Sequence, residues 1–318
     1  MAVRRLRNRF GFGRREADDD LFDPSFLSRF DRVRIRFGRV RGQRAGETPV
    51  RGLTQESGIE VESFKSYTPG DDIRHVDWNA VGRLDQLLTR RFVAEREIPV
   101  HVFVDASASM GVPESDRKFP LAVRTAAALC WVALNNNESV RVTALRANGS
   151  GPVEESPVLR HIGRFPVLEP FLSALAPSGR TALAAGIRSY LGRHKEGGLG
   201  IVISDFLVED DDWRTALETL TSRRLDVWAI QIVGRRERNL EGLRGRFRLH
   251  DVESGEARRV VLSEKDRRRY RDAFEERLRR VRGFCHRSGI GHAAVPAERG
   301  VEYALTEALP REGMLRLR

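Results

Sequence analysis

The fold is decided by residues 98–111, which read IPVHVFVDASASMG. The first half is short, apolar and rich in β-branched side chains, which is typical of a strand buried on both faces. The strand pattern stops at Asp105, after which the hydroxyls of Ser107 and Ser109 follow at alternate positions. All three side chains carry hard oxygen donors of the kind that Mg²⁺ prefers. The residues alone leave open a simpler alternative, a strand end followed by a serine-capped turn.

The sequence beyond this stretch alternates between helical and strand patterns. Apolar runs predict further strands, which lie at 140–145, 158–162, 199–204 and 227–233. The run at 158–162 is short and suits the edge of a sheet, and helical spacing separates most of the other runs. Such a βαβα order is typical of an open, mostly parallel sheet with helices on both faces. We therefore predict an α/β fold built on a doubly wound sheet.

A doubly wound sheet binds ligands outside the carboxyl ends of its strands, where the winding reverses. Asp105 ends the first long strand, and Asp205 ends the fourth, which lies beside the first in the common winding order. Thr181 lies in a loop directly before a helix, on the side from which the next strand returns. We therefore expect five oxygen-bearing side chains to converge at this edge: Asp105, Ser107, Ser109, Thr181 and Asp205.

The downstream sequence predicts a hairpin and a long helix. Strand patterns at 247–251 and 258–262 flank a short polar turn, which indicates a β-hairpin. The segment 263–284 then places apolar residues at helical spacing among many arginines. Glutamates in this segment precede arginines by four residues, an arrangement typical of ion pairs on a solvated helix face. We therefore interpret it as a surface helix rather than a nucleic-acid-binding one.

The chain ahead of the α/β domain has a different pattern. Alternating apolar and polar residues predict short strands near 33–37, 59–62 and 87–93. We therefore predict a smaller β-rich N-terminal module over residues 24–96. The boundaries of the other predicted parts are 1–23 for a disordered basic and acidic tail, 97–310 for the α/β domain and 311–318 for a C-terminal tail.

The most distinctive part of the module is residues 66–80, which read SYTPGDDIRHVDWNA. Its Pro-Gly pair predicts a tight turn. We predict an arginine–carboxylate cluster of Asp72, Arg74 and Asp77, anchored by Trp78 in apolar surroundings. A second metal site formed by Asp71, Asp72 and Asp77 is the alternative. The residues of this structural motif are Tyr67, Pro69, Gly70, Asp71, Asp72, Arg74, Asp77 and Trp78.

The composition is that of a globular protein with a basic surface. Of its 318 residues, 40% are hydrophobic and 32% are charged, and the formal net charge is +11. Only four of the 56 basic residues are lysine, an imbalance that indicates coding bias more than selection for phosphate binding. Nucleic-acid binding through arginine is therefore an alternative that we do not favour, and it predicts an affinity that falls steeply with salt.

The sequence also carries signals about location. No window contains the roughly 18 to 20 apolar residues that cross a bilayer, and the basic start lacks the apolar core of a signal peptide. Cys130 and Cys285 lie far apart in apolar helical patterns, which predicts reduced, buried thiols. We expect a cytoplasmic protein without a transmembrane segment, with peripheral attachment at a membrane as the alternative.

The motifs together carry a family resemblance. Asp105, Ser107 and Ser109, taken with Thr181 and Asp205, resemble the metal-ion-dependent adhesion site of the von Willebrand factor A-type fold. More closely, residues 66–78, the pair Arg91-Phe92 and the run VFVDASASM at 102–110 are similar to the bacterial DUF58 family in order and spacing. The resemblance covers roughly residues 30–305.

This resemblance implies a divalent metal, usually Mg²⁺ and otherwise Mn²⁺ or Ca²⁺. Ser107 and Ser109 would bind the ion directly, Thr181 would bind it directly or through water, and Asp105 and Asp205 would mostly hold coordinated waters. The sixth position would take an Asp or Glu side chain of a partner protein. The resemblance also implies a functional pairing with a MoxR-type AAA+ ATPase in protein maturation or complex assembly. We therefore expect a non-enzymatic adaptor with no catalytic residues.

A metal-dependent hydrolase or phosphatase that uses the same oxygens is the competing hypothesis. The sequence contains neither a Gly-x-Ser-x-Gly elbow nor a Gly-x-x-x-x-Gly-Lys loop. Its seven histidines are scattered without the spacing of metal ligands, and His101 lies inside a predicted strand. These observations favour the adaptor.

Overall fold

The computed structural model describes residues 24–36, 60–69, 73, 76–84, 86–93, 97–148, 151–208, 211–223, 225–240, 243, 245–253 and 256–317. The chain divides into two compact units. The larger unit combines Met1–Ala45 with Ile98–Arg318, and the smaller unit is Gly46–Glu97.

The regular elements follow the alternation that the sequence predicts. The strands, in chain order, are β1 (Val33–Ile35), β2 (Glu60–Ser66), β3 (Leu88–Val93), β4 (Val100–Asp105), β5 (Val140–Asn148), β6 (Gly151–Glu155), β7 (Gly198–Ser204), β8 (Leu225–Val233), β9 (Gly245–His250), β10 (Ala257–Leu262), β11 (Gly291–Pro296) and β12 (Leu315–Leu317). The α-helices are α1 (Pro24–Leu27), α2 (Trp78–Leu84), α3 (Lys118–Asn135), α4 (Leu168–Ala174), α5 (Leu183–Arg193), α6 (Asp212–Thr221), α7 (Arg235–Asn239), α8 (Glu264–Arg287), α9 (Gly300–Tyr303) and α10 (Leu309–Arg311).

The central sheet of the larger unit has the strand order β11–β8–β7–β4–β5–β6. Its neighbouring strands are parallel, except for the antiparallel pair β5–β6. Every residue of β4, β7 and β8 is buried, as expected for strands covered on both faces. The predicted doubly wound, mostly parallel α/β fold is confirmed.

The two faces of the sheet carry separate hydrophobic cores. Because side chains alternate along a strand, Val102 and Val104 of β4 pack in the core that contains α3, whereas Phe103 packs in the core that contains α5 and α6. Alanine-rich α3 can lie close to the sheet, and most of its residues are buried. The winding reverses between the adjacent strands β4 and β7, so the carboxyl ends of these strands form the switch point of the sheet.

The hairpin and the long helix are also as predicted. Strands β9 and β10 pair antiparallel, from His250 opposite Ala257 to Gly245 opposite Leu262, and form a two-stranded sheet of their own. Helix α8 begins with a capping box in which the Ser263 hydroxyl accepts a hydrogen bond from the backbone N–H of Asp266. Over the part of the chain that the structure describes, no helix combines the length and the apolar composition that crossing a bilayer requires.

The larger unit differs from the predicted boundaries at both ends. Strands β1 and β12 pair antiparallel, so residues 24–36 belong to the larger unit rather than to the module predicted over 24–96. Residues 311–318 were predicted as a tail, but they include β12, whose Leu315 is buried. Both boundary predictions fail for the same reason: among the described strands, β1 and β12 pair only with each other. The edge strand predicted at 158–162 is wrong as well, since the edge is formed by β6 and Leu159 makes only an isolated bridge to Val140.

The smaller unit contains the antiparallel pair β2–β3 and helix α2. Asp77 caps this helix, because its Oδ1 accepts hydrogen bonds from the backbone N–H groups of Asn79 and Ala80 at 3.0 and 3.3 Å. Tyr67 donates its backbone N–H to the carbonyl of Leu87 at 2.8 Å. Pro69 is exposed beside it.

The predicted role of Trp78 is wrong. Trp78 is the first residue of α2, and its side chain is 65% exposed rather than anchored in apolar surroundings. Four other residues of the motif lie outside the described residues, namely Gly70, Asp71, Asp72 and Arg74. The arginine–carboxylate cluster and the second metal site therefore stay predictions.

Candidate metal-binding site

The Asp-x-Ser-x-Ser motif forms a compact hydrogen-bonded group at the carboxyl end of β4. Asp105 is fully buried, and its Oδ1 accepts hydrogen bonds from the backbone N–H and the hydroxyl of Ser107 at 3.0 and 2.6 Å. The Oγ atoms of Ser107 and Ser109 lie 3.0 Å apart. Because the proton of Ser107 is used on Asp105, Ser109 is the donor between the two hydroxyls. Each hydroxyl oxygen therefore retains a lone pair for a further ligand.

The spacing of these hydroxyls suits two ligands of one small cation. Mg²⁺ binds oxygen in an octahedron at about 2.0–2.1 Å, which places neighbouring ligands about 3.0 Å apart. Among the described residues, no group of three or more His, Cys, Asp and Glu side chains is arranged to hold a metal ion. A metal at this edge would therefore depend on hydroxyl oxygens, and the observed pair is compatible with that requirement.

The loop that carries Thr181 is bound to the serine loop through its backbone. Ser178 donates its N–H to the carbonyl of Ala106 at 2.9 Å, and Ala108 donates to the carbonyl of Gly179 at 3.0 Å. The motif glycine Gly111 permits this approach, because a Cβ there would lie 2.8 Å from the Cγ of Pro177. The two loops are therefore packed as one structural unit.

The start of α5, directly after Thr181, is fixed by a carboxylate from α6. Oδ2 of Asp212 accepts hydrogen bonds from the N–H groups of Leu183 and Ala184 at 2.8 and 3.2 Å. These N–H groups would otherwise lack partners at the helix start. Asp212 thus limits the freedom of the Thr181 loop, a function that its position in the sequence does not reveal.

The end of β7 brings the second aspartate to the switch point. Ser204 donates its hydroxyl to Oδ2 of Asp105 at 2.6 Å, so the adjacent strands are joined through the first aspartate. The next residue, Asp205, is 3% exposed. Its Oδ1 accepts the backbone N–H of Leu207 at 3.0 Å, and its Oδ2 accepts from Nζ of Lys118 at 2.7 Å.

Lys118 was missed by the sequence analysis. It is the first residue of α3, its side chain is 0% exposed, and its Nζ also donates to Oε1 of Glu237 at 2.8 Å. Asp116 reinforces the arrangement, because its carboxylate accepts the N–H groups of Arg236 and Glu237 at 3.0 and 2.9 Å. The available signal was a lysine, a rare residue in this chain, at the start of an apolar helical pattern.

Comparison with known proteins agrees with these motifs. The family model described as "Protein of unknown function DUF58" matches residues 63–283, which is more than half of the chain. The chain belongs to the DUF58 family. An uncharacterized protein of Mycobacterium tuberculosis is 32% identical over 222 residues, and an uncharacterized protein of Mycobacterium bovis matches equally well. Each alignment covers 66% of this DUF58 chain and 66% of the relative, so the chain spans just under two thirds of those proteins' length.

Similar solved structures have lower sequence identity to this DUF58 protein. An aerotolerance-related membrane protein from Bacteroides fragilis has a TM-score of 0.34 and 18% identity, with 56% of this chain and 88% of that chain covered. A von Willebrand factor type A protein from Catenulispora acidiphila has a TM-score of 0.34 and 17% identity, with 46% and 35% covered. At TM-scores this low, the fold assignment rests on the strand order of the DUF58 chain itself.

Among the described residues, the carboxylates of Asp205 and Glu237 share the ammonium group of Lys118. Burial raises the pKa of Asp105, and the nearby Asp205 raises it further, although hydrogen bonds from Ser107 and Ser204 act in the opposite direction. Burial also raises the pKa of Glu237. A group of acids that is short of positive charge in this way would be stabilised by an added cation.

Thr181 contacts a carboxylate that the sequence analysis did not assign to the site. Its hydroxyl donates to Oε1 of Glu253 at 2.7 Å, and its backbone N–H donates to Oε2 of the same side chain at 3.1 Å. Glu253 lies between β9 and β10, which the sequence predicts as a hairpin without indicating where its turn docks. The structure thus groups Asp105, Ser107 and Ser109 by direct hydrogen bonds and joins Thr181 to them through the loop backbone. The assignment of the five residues as metal ligands stays a prediction.

Proposed function

We propose that this DUF58 protein is a metal-dependent protein-interaction module that binds an acidic side chain of a partner. The observation that carries the proposal is the pair of Ser107 and Ser109 hydroxyls, 3.0 Å apart at the carboxyl ends of the strands. A divalent cation bound there would supply a positive centre that attracts a carboxylate. Family membership and fold support the coarser statement, an interaction module.

The contacts of each residue suggest its role in binding the ion. Ser107 and Ser109 would hold the ion directly, with Thr181 on the neighbouring loop. Asp105 orients Ser107 by accepting both its hydroxyl and its N–H. Asp205 adds negative charge nearby, which raises the pKa of Asp105.

The same contacts favour a binding site over a hydrolytic one. Asp205 would be the natural base for a water molecule, but one of its oxygens accepts from Leu207 and the other from Lys118. His101 lies four residues before Asp105 on the same strand, about 13 Å away at the usual rise per residue. Its Nδ1 is 2.6 Å from the hydroxyl of Tyr190. Neither group is therefore free to activate a nucleophile at the serine pair.

We further propose a MoxR-type AAA+ ATPase as the partner that the module serves, in protein maturation or complex assembly. This finer statement rests on the DUF58 family. It predicts that the ATPase and this protein co-purify in the presence of Mg²⁺ and separate when EDTA is added.

Calorimetric titration with Mg²⁺, repeated with Mn²⁺ and Ca²⁺, tests the metal site itself. We expect the native chain to bind and both Ser109→Ala and Asp105→Ala to lose most of the affinity. Ser115→Ala is the matched control, because Ser115 is an exposed serine close in sequence, and it should bind as the native chain does. Thermal melting gives a second measure, since ligand at one hundred times its Kd adds about 2.7 kcal/mol. The proposal fails if none of the three ions binds the native chain, or if Ser109→Ala binds them unchanged.

A further inference from the structure

The turn between β9 and β10 presents one carboxylate at the candidate metal site. The N–H of Asp251 donates to the carbonyl of Glu256 at 2.8 Å, and the N–H of Glu253 donates to Oδ1 of Asp251 at 2.8 Å. These hydrogen bonds fix the backbone from which the Glu253 side chain extends. The position of that side chain is therefore set by the hydrogen bonds of the backbone beside it.

The contact with Thr181 has the form expected of a ligand carboxylate. One oxygen of Glu253 lies 2.7 Å from the Thr181 hydroxyl, and the other accepts the Thr181 N–H at 3.1 Å. An oxygen 2.7 Å from a metal-binding hydroxyl is within the range for a neighbouring position of an octahedron, where the spacing is about 3.0 Å. The second oxygen is held by a backbone donor, which fixes the orientation of the carboxylate.

The contact between Glu253 and Thr181 adds negative charge to an edge of the sheet that already carries two aspartates. Asp105 and Asp205 are buried at the carboxyl ends of the adjacent strands β4 and β7. A further carboxylate brought close to them without a counter-charge would be repelled. A cation held between the hydroxyls and Glu253 would offset such repulsion.

We propose that Glu253 is the chain's own occupant of the carboxylate position in this site, so that a partner's acidic side chain binds only after the Glu253 turn withdraws. The inference rests on the proposed function, because it assumes a cation at the serine pair. Withdrawal leaves the central sheet intact, since β9 and β10 pair only with each other among the described strands.

An internal carboxylate lowers the apparent affinity of the site for the acidic side chain of a partner. A group tethered by a short segment competes at an effective concentration of about millimolar. If the turn is docked 99% of the time, the apparent affinity for an external carboxylate falls about 100-fold. Glu253 would thus select partners that bind strongly or that also draw the hairpin away.

Removal of the Glu253 charge tests the inference in two ways. Glu253→Gln keeps the size of the side chain, and Glu256→Gln is the matched control in the same hairpin, where Glu256 pairs with Arg258 at 3.5 Å and is exposed. We expect Glu253→Gln to weaken Mg²⁺ binding at least 10-fold in calorimetry, because the ion loses an anionic ligand. At saturating Mg²⁺, we expect it to bind a fluorescent peptide with blocked ends and one glutamate at least 10-fold more tightly than the native chain does. Glu256→Gln should match the native chain in both assays.

The outcomes separate the inference from the proposed function. If Glu253→Gln matches the native chain in both assays while Ser109→Ala loses Mg²⁺, the inference is overturned and the metal site stands. If the native chain and Glu253→Gln both fail to bind Mg²⁺, the proposed function is overturned and the inference falls with it. Hydrogen exchange on the native chain needs no variant: the amides of 245–262 should exchange faster when the peptide is added at saturating Mg²⁺. Unchanged exchange on a peptide-bound chain would also overturn the inference.

Discussion

The buried amine of Lys118 gives the most quantitative test of the site. Its side chain is 0% exposed, and its partners Asp205 and Glu237 are 3% and 17% exposed. Burial alone would lower the pKa of Lys118, but the two carboxylates outweigh that effect and raise it, so the amine is charged. Lys118→Met keeps much of the apolar stem but leaves both carboxylates without their counter-charge. Removing one partner of a buried pair costs about 3–5 kcal/mol, because the remaining charge stays out of water.

We therefore expect Lys118→Met to lower the free energy of unfolding by about 4 kcal/mol and the melting temperature by about 10 °C. Urea unfolding followed by circular dichroism, in buffer with EDTA, measures the loss without compensation by a bound ion. Lys195→Met is the matched control, because Lys195 is an exposed lysine of the same unit. Surface substitutions of this kind usually change stability by less than about 0.5 kcal/mol.

The result that would refute the reasoning is a loss below about 1 kcal/mol at Lys118, or an equal loss at the two lysines. A second comparison adds Mg²⁺ to the Lys118→Met variant. A cation at the serine pair would restore part of the missing positive charge. The variant should therefore gain more stability from Mg²⁺ than the native chain does.

Three further predictions concern the scaffold. Ser263→Ala removes the N-cap of α8 and should lower the free energy of unfolding by about 1 kcal/mol in urea titrations. Burial lowers the pKa of His101 to about 4, so this side chain binds a proton more readily in the unfolded chain. The stability that His101 contributes should be present above about pH 6.5 and lost towards pH 4, and urea titrations in which the native chain and His101→Gln show the same pH dependence would contradict this. Gly291→Ala would place a Cβ 2.2–2.5 Å from three atoms of the Trp228 indole and should cost about 1–3 kcal/mol in urea titrations. The control Gly82→Ala has open space around its Cβ and should leave the melting temperature unchanged or slightly raised.

The parts of the site that follow from strand geometry could be predicted from the sequence. A buried β-branched run that stops at Asp105 predicts a central strand, and a second run that stops before Asp205 predicts its neighbour. Parallel strands end at the same edge, so local patterns were sufficient to bring these two residues together. The β9–β10 hairpin and α8 were predicted for the same reason, because turn residues and helical spacing are local signals.

The contacts that were missed join distant segments through single side chains. Lys118 and Glu237 are 119 residues apart, and Thr181 and Glu253 are 72 apart. Neither pair belongs to a repeating pattern, and each residue by itself is typical of a solvated surface. The pairing of β1 with β12 was missed for a related reason, since a three-residue strand carries almost no periodicity.

Charge balance links these contacts to one another and to the proposed metal. Asp205 and Glu237 share the amine of Lys118, whereas Asp105 accepts hydrogen bonds from serine hydroxyls. Glu253 adds a further carboxylate at Thr181. Under the proposals above, a divalent ion favours docking of the turn, because docking without the ion brings acids together. Binding linkage is reciprocal, so the factor by which Mg²⁺ favours the docked turn is also the factor by which the docked turn strengthens Mg²⁺ binding. A partner that displaces Glu253 must supply a carboxylate of its own, or the ion is held less tightly.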